Sequence, residues 1–462
     1  MKNILTLCFI SFVIVAACKR DQGVTFNPQN KLNFSTDSIL FDTVFTSIGS
    51  TSRSIKVFNV SKNNIEITNI KLVGGLNSPF KININGISQT SVNNIRINAN
   101  DSIYLFLKAV INPTIAEAPF LVQDTLEFLT NGNLQKIPIV AYGRNAIYFN
   151  AKTISEDYTF KKGIPYLIYK TLTITQSANV MVEAGAKLYF NSDARMMVYG
   201  TLQANGSLAD SITFCSNRTE RIYRDEPGQW KGIYFGETSK NNTLNYCSIK
   251  NSVVGLQVDS LNTDIKPKLL ITNCIVKNHA LAGIIVNNSH VVAINNLMFN
   301  CGRYVILGLY GGKYNFYHNT ISNNNTNVGR QTPSVLFSDN NEDGSMKFKN
   351  FELDFINNIV WGNLDNEFSI NNNGNKQFIS TIKSNLLKTK NVYDVSNIIN
   401  TDPLFENFRR SNYLLSANSP AQNLGIDLAS SIYFNQFIKF DFNNILRTFP
   451  SDLGCYELSS SF

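Results

Sequence analysis

The chain has 462 residues, of which 43% are hydrophobic and only 16% charged, against about 25% charged in an average globular protein. That is long enough for two or three packed units, and the deficit of charge is made up largely by Asn, Ser and Thr. The net charge of +8 is scattered and carries no nucleic-acid-binding motif, so no nucleic-acid partner is expected. The sharper meaning of a positive surface is attraction to an anionic glycan or lipopolysaccharide. No window shows the 3.6-residue apolar period of a long amphipathic helix, which leaves an all-β chain.

The first segment is a targeting signal. Lys2 supplies a positive charge, residues 4–15 are apolar but too short to span a bilayer, and Val15-Ala-Ala-Cys18 places small residues before a cysteine. This resembles the bacterial lipoprotein lipobox, which implies removal of residues 1–17 and acylation of Cys18. The alternative is an ordinary secretory signal that ends in Cys. Two or three acyl chains make a stable anchor where one does not. The partner is then a lipid bilayer, and the location is the outer membrane, at the cell surface or the periplasmic face. Residues 18–30 read as a polar tether.

Residues 31–145 read as a small β-sandwich. Short runs alternate at period 2 over residues 54–60, 65–72, 80–84, 103–110, 124–129 and 136–141, broken by Lys62-Asn-Asn64, Val73-Gly-Gly75, Asn112-Pro113 and Asn131-Gly-Asn133. Phe58-Asn-Val-Ser61 and Phe128-Leu-Thr-Asn-Gly132 resemble the immunoglobulin-like domains of the ASPM, SPD-2 and hydin type. That resemblance implies a spacer or interaction module.

From residue 146 to 400 a short pattern recurs. Asn245-Tyr-Cys-Ser-Ile-Lys-Asn251 is followed by Gly255, Thr272-Asn-Cys-Ile-Val-Lys-Asn278 by Gly283, and Asn295-Asn-Leu-Met-Phe-Asn300 by Gly308; the closing asparagines stand 27 and 22 residues apart. A period of this size means stacked units, because one strand-turn-strand unit cannot bury its apolar face alone. Asn251, Asn278 and Asn300 suit left-handed corners, and stacked amides can bond up the coil. About nine rungs at roughly 4.8 Å each are expected. Val180-Met-Val-Glu-Ala-Gly185, Tyr199-Gly-Thr-Leu-Gln-Ala-Asn-Gly206 and Gly228-Gln-Trp-Lys-Gly-Ile-Tyr-Phe235 resemble the pectin-lyase-like right-handed parallel β-helix proteins found as surface lipoproteins in Bacteroidetes-type bacteria. The fold expected is therefore a right-handed parallel β-helix preceded by a β-sandwich. Such a fold hosts lyases, hydrolases and adhesins alike, so it does not choose among them. The pattern is expected to be interrupted over residues 334–349, and residues 401–462 to close the open edge of the last rung.

The chemistry is sparse. No catalytic residue is assigned, because the rungs carry Asn, Ser and Thr where uronate lyases and glycosidases need carboxylates. One acidic-basic cluster stands out, Arg218, Glu220, Arg221, Arg224, Asp225 and Glu226, in a loop before Trp230. It can grip a sugar acid with Tyr223 or Trp230 as a stacking platform, or it is a salt-bridged loop packed on the first rungs. Asp339, Asn341 and Asp343 match the opening of a calcium loop, but Asn350 stands where its bidentate Glu belongs. No cofactor is therefore expected, calcium being the alternative. Cys247 and Cys274 take equivalent rung positions, as interior thiols or as a disulfide between rungs. His279, His290 and His318 show no ligand spacing. The function expected is non-catalytic presentation of a β-helix to a polysaccharide or envelope protein; the alternative is a lyase or glycoside hydrolase acting on acidic polysaccharide.

Overall fold

Alternation of apolar and polar residues sets both halves of the chain, through antiparallel pairing in one and stacking in the other. The computed structural model describes residues 23–84, 86–260, 266–324, 329–340 and 350–458. Cys18, Asn341 and Asp343 lie outside the described residues, and so does the signal segment. The chain divides into two units between Asn145 and Ala146.

The first unit is two five-stranded sheets packed face to face, with Ile55, Val57, Ile67, Phe80, Leu105, Leu107, Leu126 and Phe128 buried between them. Pairing is antiparallel except where Asn133–Arg144 runs parallel to Ile39–Phe45. Ile65–Leu72 and Phe80–Ile84 fall on the expected residues. Ser91–Ile97 was not expected: it buries only Ile97 and carries Asn93-Asn94 at its centre, so no alternation marks it. The tether is shorter than its composition implies. Thr25 N donates to Asn64 O at 2.8 Å, and Asn133 Nδ2 and Asn131 Nδ2 donate to the carbonyls of Pro28 and Asn30 at 2.8 and 3.0 Å.

The second unit is a parallel β-helix. Each turn contributes one strand to an 11-stranded sheet, here the first face, and two to a 16-stranded sheet made of two ladders, the second and third faces. Nine complete turns run from Ile147–Asn150 to Phe378–Lys383, and the single strands Leu386–Leu387 and Ile398–Ile399 complete the eleven. In two middle turns the second and third faces are one long strand each, Ala282–Ile294 and Tyr304–Tyr317. Inward side chains stack like on like: Phe190 lies on Trp230 at 4.1 Å between ring centroids, and Phe351 on Phe378 at 4.1 Å. The expected interruption is smaller than residues 334–349, since Val335–Ser338 pairs in register with both neighbours.

An amide ladder exists, but one corner away from where the repeat placed it. Asn251, Asn278 and Asn300 do take left-handed angles, with φ of 68°, 59° and 55°. Their amides do not bond to one another. The ladder occupies the corner between the third and first faces, where Asn296 Nδ2 donates to Asn319 Oδ1 at 2.9 Å, Asn319 to Asn358 at 2.9 Å, Asn358 to Asn385 at 3.1 Å and Asn385 to Asn397 at 2.9 Å. Cys274 N donates to Asn296 Oδ1 at 2.9 Å and Cys247 N to Cys274 Sγ at 3.3 Å, so the two thiols are the lower end of the same column. Both are unbridged, as are the other described cysteines.

The C-terminal segment also departs from expectation. It folds back along the coil instead of only covering the last turn. Tyr413, Phe442 and Cys455 pack on Leu297 and Phe299, Tyr246 Oη donates to Phe442 O at 3.2 Å, and Asn295 Nδ2 donates to the carbonyls of Phe437 and Phe440 at 2.7 Å each. The left-handed residues beside the ladder, whose amides would otherwise be stranded at a covered corner, thus hold this segment in place.

Candidate functional site

The acidic-basic loop leaves the coil after Ile212–Ser216 and rejoins it at Ile233–Phe235. Its re-entry is fixed by Trp230, which is fully buried on Phe190 and donates Nε1 to Lys250 O at 2.9 Å. That corrects its assignment as a stacking platform, because its ring is spent on the core. The body of the loop is clamped from the coil: Asn251 Nδ2 donates to the carbonyls of Tyr223, Arg224 and Glu226 at 3.3, 3.0 and 2.8 Å. Gln229 Nε2 donates to Tyr223 O and Glu226 O at 2.7 Å each.

Within this frame Arg218 Nε donates to both Glu220 oxygens at 3.2 Å, and its guanidinium lies 3.7 Å from the centroid of the Tyr223 ring. Tyr223 is therefore occupied by a cation of its own chain. Asp225 accepts from Lys277 Nζ at 3.3 Å and Asn278 Nδ2 at 3.0 Å. Arg221, Arg224 and Glu226 are exposed and form no ion pair among the described residues. The structure thus brings Arg218, Arg221, Tyr223, Arg224, Asp225 and Glu226 together and removes Trp230 from the set.

Two residues missed in the sequence complete the patch. Lys250 and Lys277 are direct register partners on adjacent strands of the first face. Burial, and then the charges of Lys250 and Arg224, pull the Lys277 ammonium below its ordinary value against the opposing Asp225. The signal for them was the Lys-Asn ending shared by the first two repeat copies.

A second cluster lies on the third face. Asp354 accepts from Asn315 Nδ2 at 3.0 Å and Tyr317 Oη at 3.3 Å. His290 Nε2 is 3.4 Å from Asn315 Oδ1, and Lys313 pairs with Glu352 at 2.7 Å. Glu352 and Asp354 stand two apart on Phe351–Ile356 and so share a face. Asp339, from the calcium alternative, is fully buried and accepts from Asn373 N at 3.3 Å and Asn373 Nδ2 at 3.0 Å. Among the described residues no three His, Cys, Asp or Glu converge on a metal position.

The histidines have a consequence for stability. His279, whose Nδ1 is 2.7 Å from Ser252 Oγ, is drawn down by burial to about 3. Burial also holds His290 and His318 below the ordinary value. As pH falls past 6.5, the reference value for the unfolded chain, the unfolded state takes up protons that the folded state refuses. Stability is then lost at up to about 1.4 kcal/mol per pH unit for each histidine. Glu457, raised by burial to about 7 from 4.5, acts in the opposite direction between those values and offsets part of one histidine. His279→Asn should therefore flatten the pH dependence of urea unfolding between about pH 5 and 6 by about 1 kcal/mol per unit; an unchanged slope would show that His279 titrates normally in the fold.

No family model matches the chain, and no curated protein matches it either. Among solved structures it is similar to the ASH/PapD-like domain of human CEP192 (PapD-like domain 7), at 10% identity and a TM-score of 0.19, over 28% of this chain and 97% of that one. It is also similar to a family 123 glycoside hydrolase from Clostridium perfringens, at 11% identity and a TM-score of 0.20, over 28% of this chain and 31% of that one. Likenesses this weak say nothing about what the chain does.

Proposed function

We propose that the chain is a non-catalytic surface lipoprotein, held to the outer membrane through acylated Cys18, whose pectin-lyase-like β-helix binds an acidic glycan of the cell envelope. The observation that carries this reading is the register pairing of Lys250 with Lys277, with Arg224 near enough to act on Lys277 and Arg221 exposed on the same loop. Like charges set directly opposite one another in a sheet are destabilising. Asp225, at the rim, neutralises only part of that charge. An anion laid along the first face would relieve the rest, and repeating carboxylates or sulfates suit cations stacked at the spacing of the rungs.

The double change Lys250→Gln/Lys277→Gln should weaken binding of acidic polysaccharides about tenfold and make what remains less sensitive to salt. Calorimetric titration at two ionic strengths checks both. Equal affinity and an equal salt slope in the variant would remove the site from the proposal. The enzymatic reading keeps one observation in its favour, the Glu352 and Asp354 pair beside His290 and Tyr317. Release of reducing ends or of unsaturated uronate product, abolished by Asp354→Asn, would replace the non-catalytic reading with it.

A further inference from the structure

The first unit carries a surface of different chemistry. In the sheet formed by Arg53–Asn59, Asp101–Ala109 and Phe80–Ile84, the residues Ile55, Val57, Leu105, Leu107, Phe80 and Ile82 are fully buried in the sandwich core. Strand alternation then turns the residues between them outward. Register sets Lys56 opposite Tyr104, places Phe106 between Ser54 and Asn83, and puts Lys81 opposite Lys108. Tyr104 and Phe106 are 54% and 44% exposed, with near-parallel rings 6.3 Å apart. Lys56 Nζ sits 5.1 Å from the Phe58 ring and 5.4 Å from that of Tyr104. No acidic residue stands among these outward positions, and Lys56, Lys81 and Lys108 enter no ion pair among the described residues.

Each feature restricts the occupant. Two large rings left in water, with lysines on both sides, call for a ligand that has an apolar face and a negative charge. The pairing of Lys81 with Lys108 repeats the like-charge cost argued for the β-helix. Ser54 and Asn83 share a row with Phe106, so the ring is bordered by hydrogen-bonding groups. An acyl chain has no use for them, whereas a sugar ring presents C–H bonds on its face and hydroxyls on its rim.

We propose that this face is a second glycan-binding site, on which the rings of an acidic polysaccharide lie against Tyr104 and Phe106 while its anionic groups meet Lys56, Lys81 and Lys108. It stands independently of the β-helix patch, being carried by other residues on the other unit.

The test uses the full chain in two backgrounds, native and Lys250→Gln/Lys277→Gln. Each is screened against immobilised acidic and neutral polysaccharides and against vesicles of phosphatidylglycerol. Tyr104→Ala/Phe106→Ala should lower affinity for a bound acidic glycan about tenfold in both backgrounds, and Lys56→Gln/Lys108→Gln should do the same with a reduced salt slope. The altered side chains are exposed or half-buried on the sheet's outer face, and an unchanged melting temperature would show that the fold is intact. The proposal is overturned if no acidic glycan binds, if binding survives loss of both rings, or if only the vesicles are bound. Unchanged affinity in Lys250→Gln/Lys277→Gln, with the ring-dependent part intact, would sink the reading of the first face and leave this one standing.

Discussion

Replacing Asn358 with leucine should destabilise the β-helix by about 3–5 kcal/mol, one of the two largest effects expected of a single substitution in this chain. Asn358 is fully buried and accepts from Asn319 N at 2.8 Å and Asn319 Nδ2 at 2.9 Å. Its own Nδ2 donates to the carbonyls of Phe316 and Ile356 at 2.9 and 3.0 Å, as well as to Asn385. Leucine keeps the volume roughly and strands several groups at once, each costing about 1–3 kcal/mol when buried without a partner, less whatever the corner can relax. Asn371→Leu, at an exposed asparagine of the same coil whose side chain makes no hydrogen bond among the described residues, should change stability by less than about 0.5 kcal/mol. Both tryptophans, Trp230 and Trp361, lie in the second unit, so their fluorescence during urea unfolding follows that unit alone. A loss below about 1 kcal/mol for Asn358→Leu would mean that the ladder contributes little beyond its backbone bonds.

The coil was legible because its repeat is written in side chains that do two jobs at fixed spacing. Which asparagine does which job was not. Asn295-Asn296 and Asn357-Asn358 are identical pairs in sequence, yet the first member of each holds a left-handed backbone angle and the C-terminal segment while the second carries the ladder. Only the column above and below distinguishes them. The arginine-rich loop was legible for the opposite reason, since its charges are contiguous. Trp230 was misplaced because an aromatic beside a charged loop reads the same whether it faces water or Phe190. Lys250 and Lys277 are 27 residues apart, and Lys81 and Lys108 also 27. In each case the like charges become neighbours only when register is known, and composition alone cannot supply it.

Arg330 and Glu367 give the other large effect, and one whose size depends on whether one partner or both are removed. Both side chains are fully buried, and the guanidinium donates to both carboxylate oxygens, Nη2 to Oε1 at 2.6 Å and Nη1 to Oε2 at 2.8 Å. Ser334 N and Oγ and Leu364 N also donate to the same carboxylate, at 3.0, 2.6 and 2.8 Å. Arg330→Met should therefore cost about 3–5 kcal/mol, because the charge left behind keeps its three neutral donors and loses its cation. In Arg330→Met/Glu367→Leu no charge remains to be desolvated, and the double variant should be more stable than the single one even though it has lost more bonds. If the double variant proves less stable than Arg330→Met, the ion pair is a net source of stability here, and the desolvation cost assigned to the buried charges is wrong.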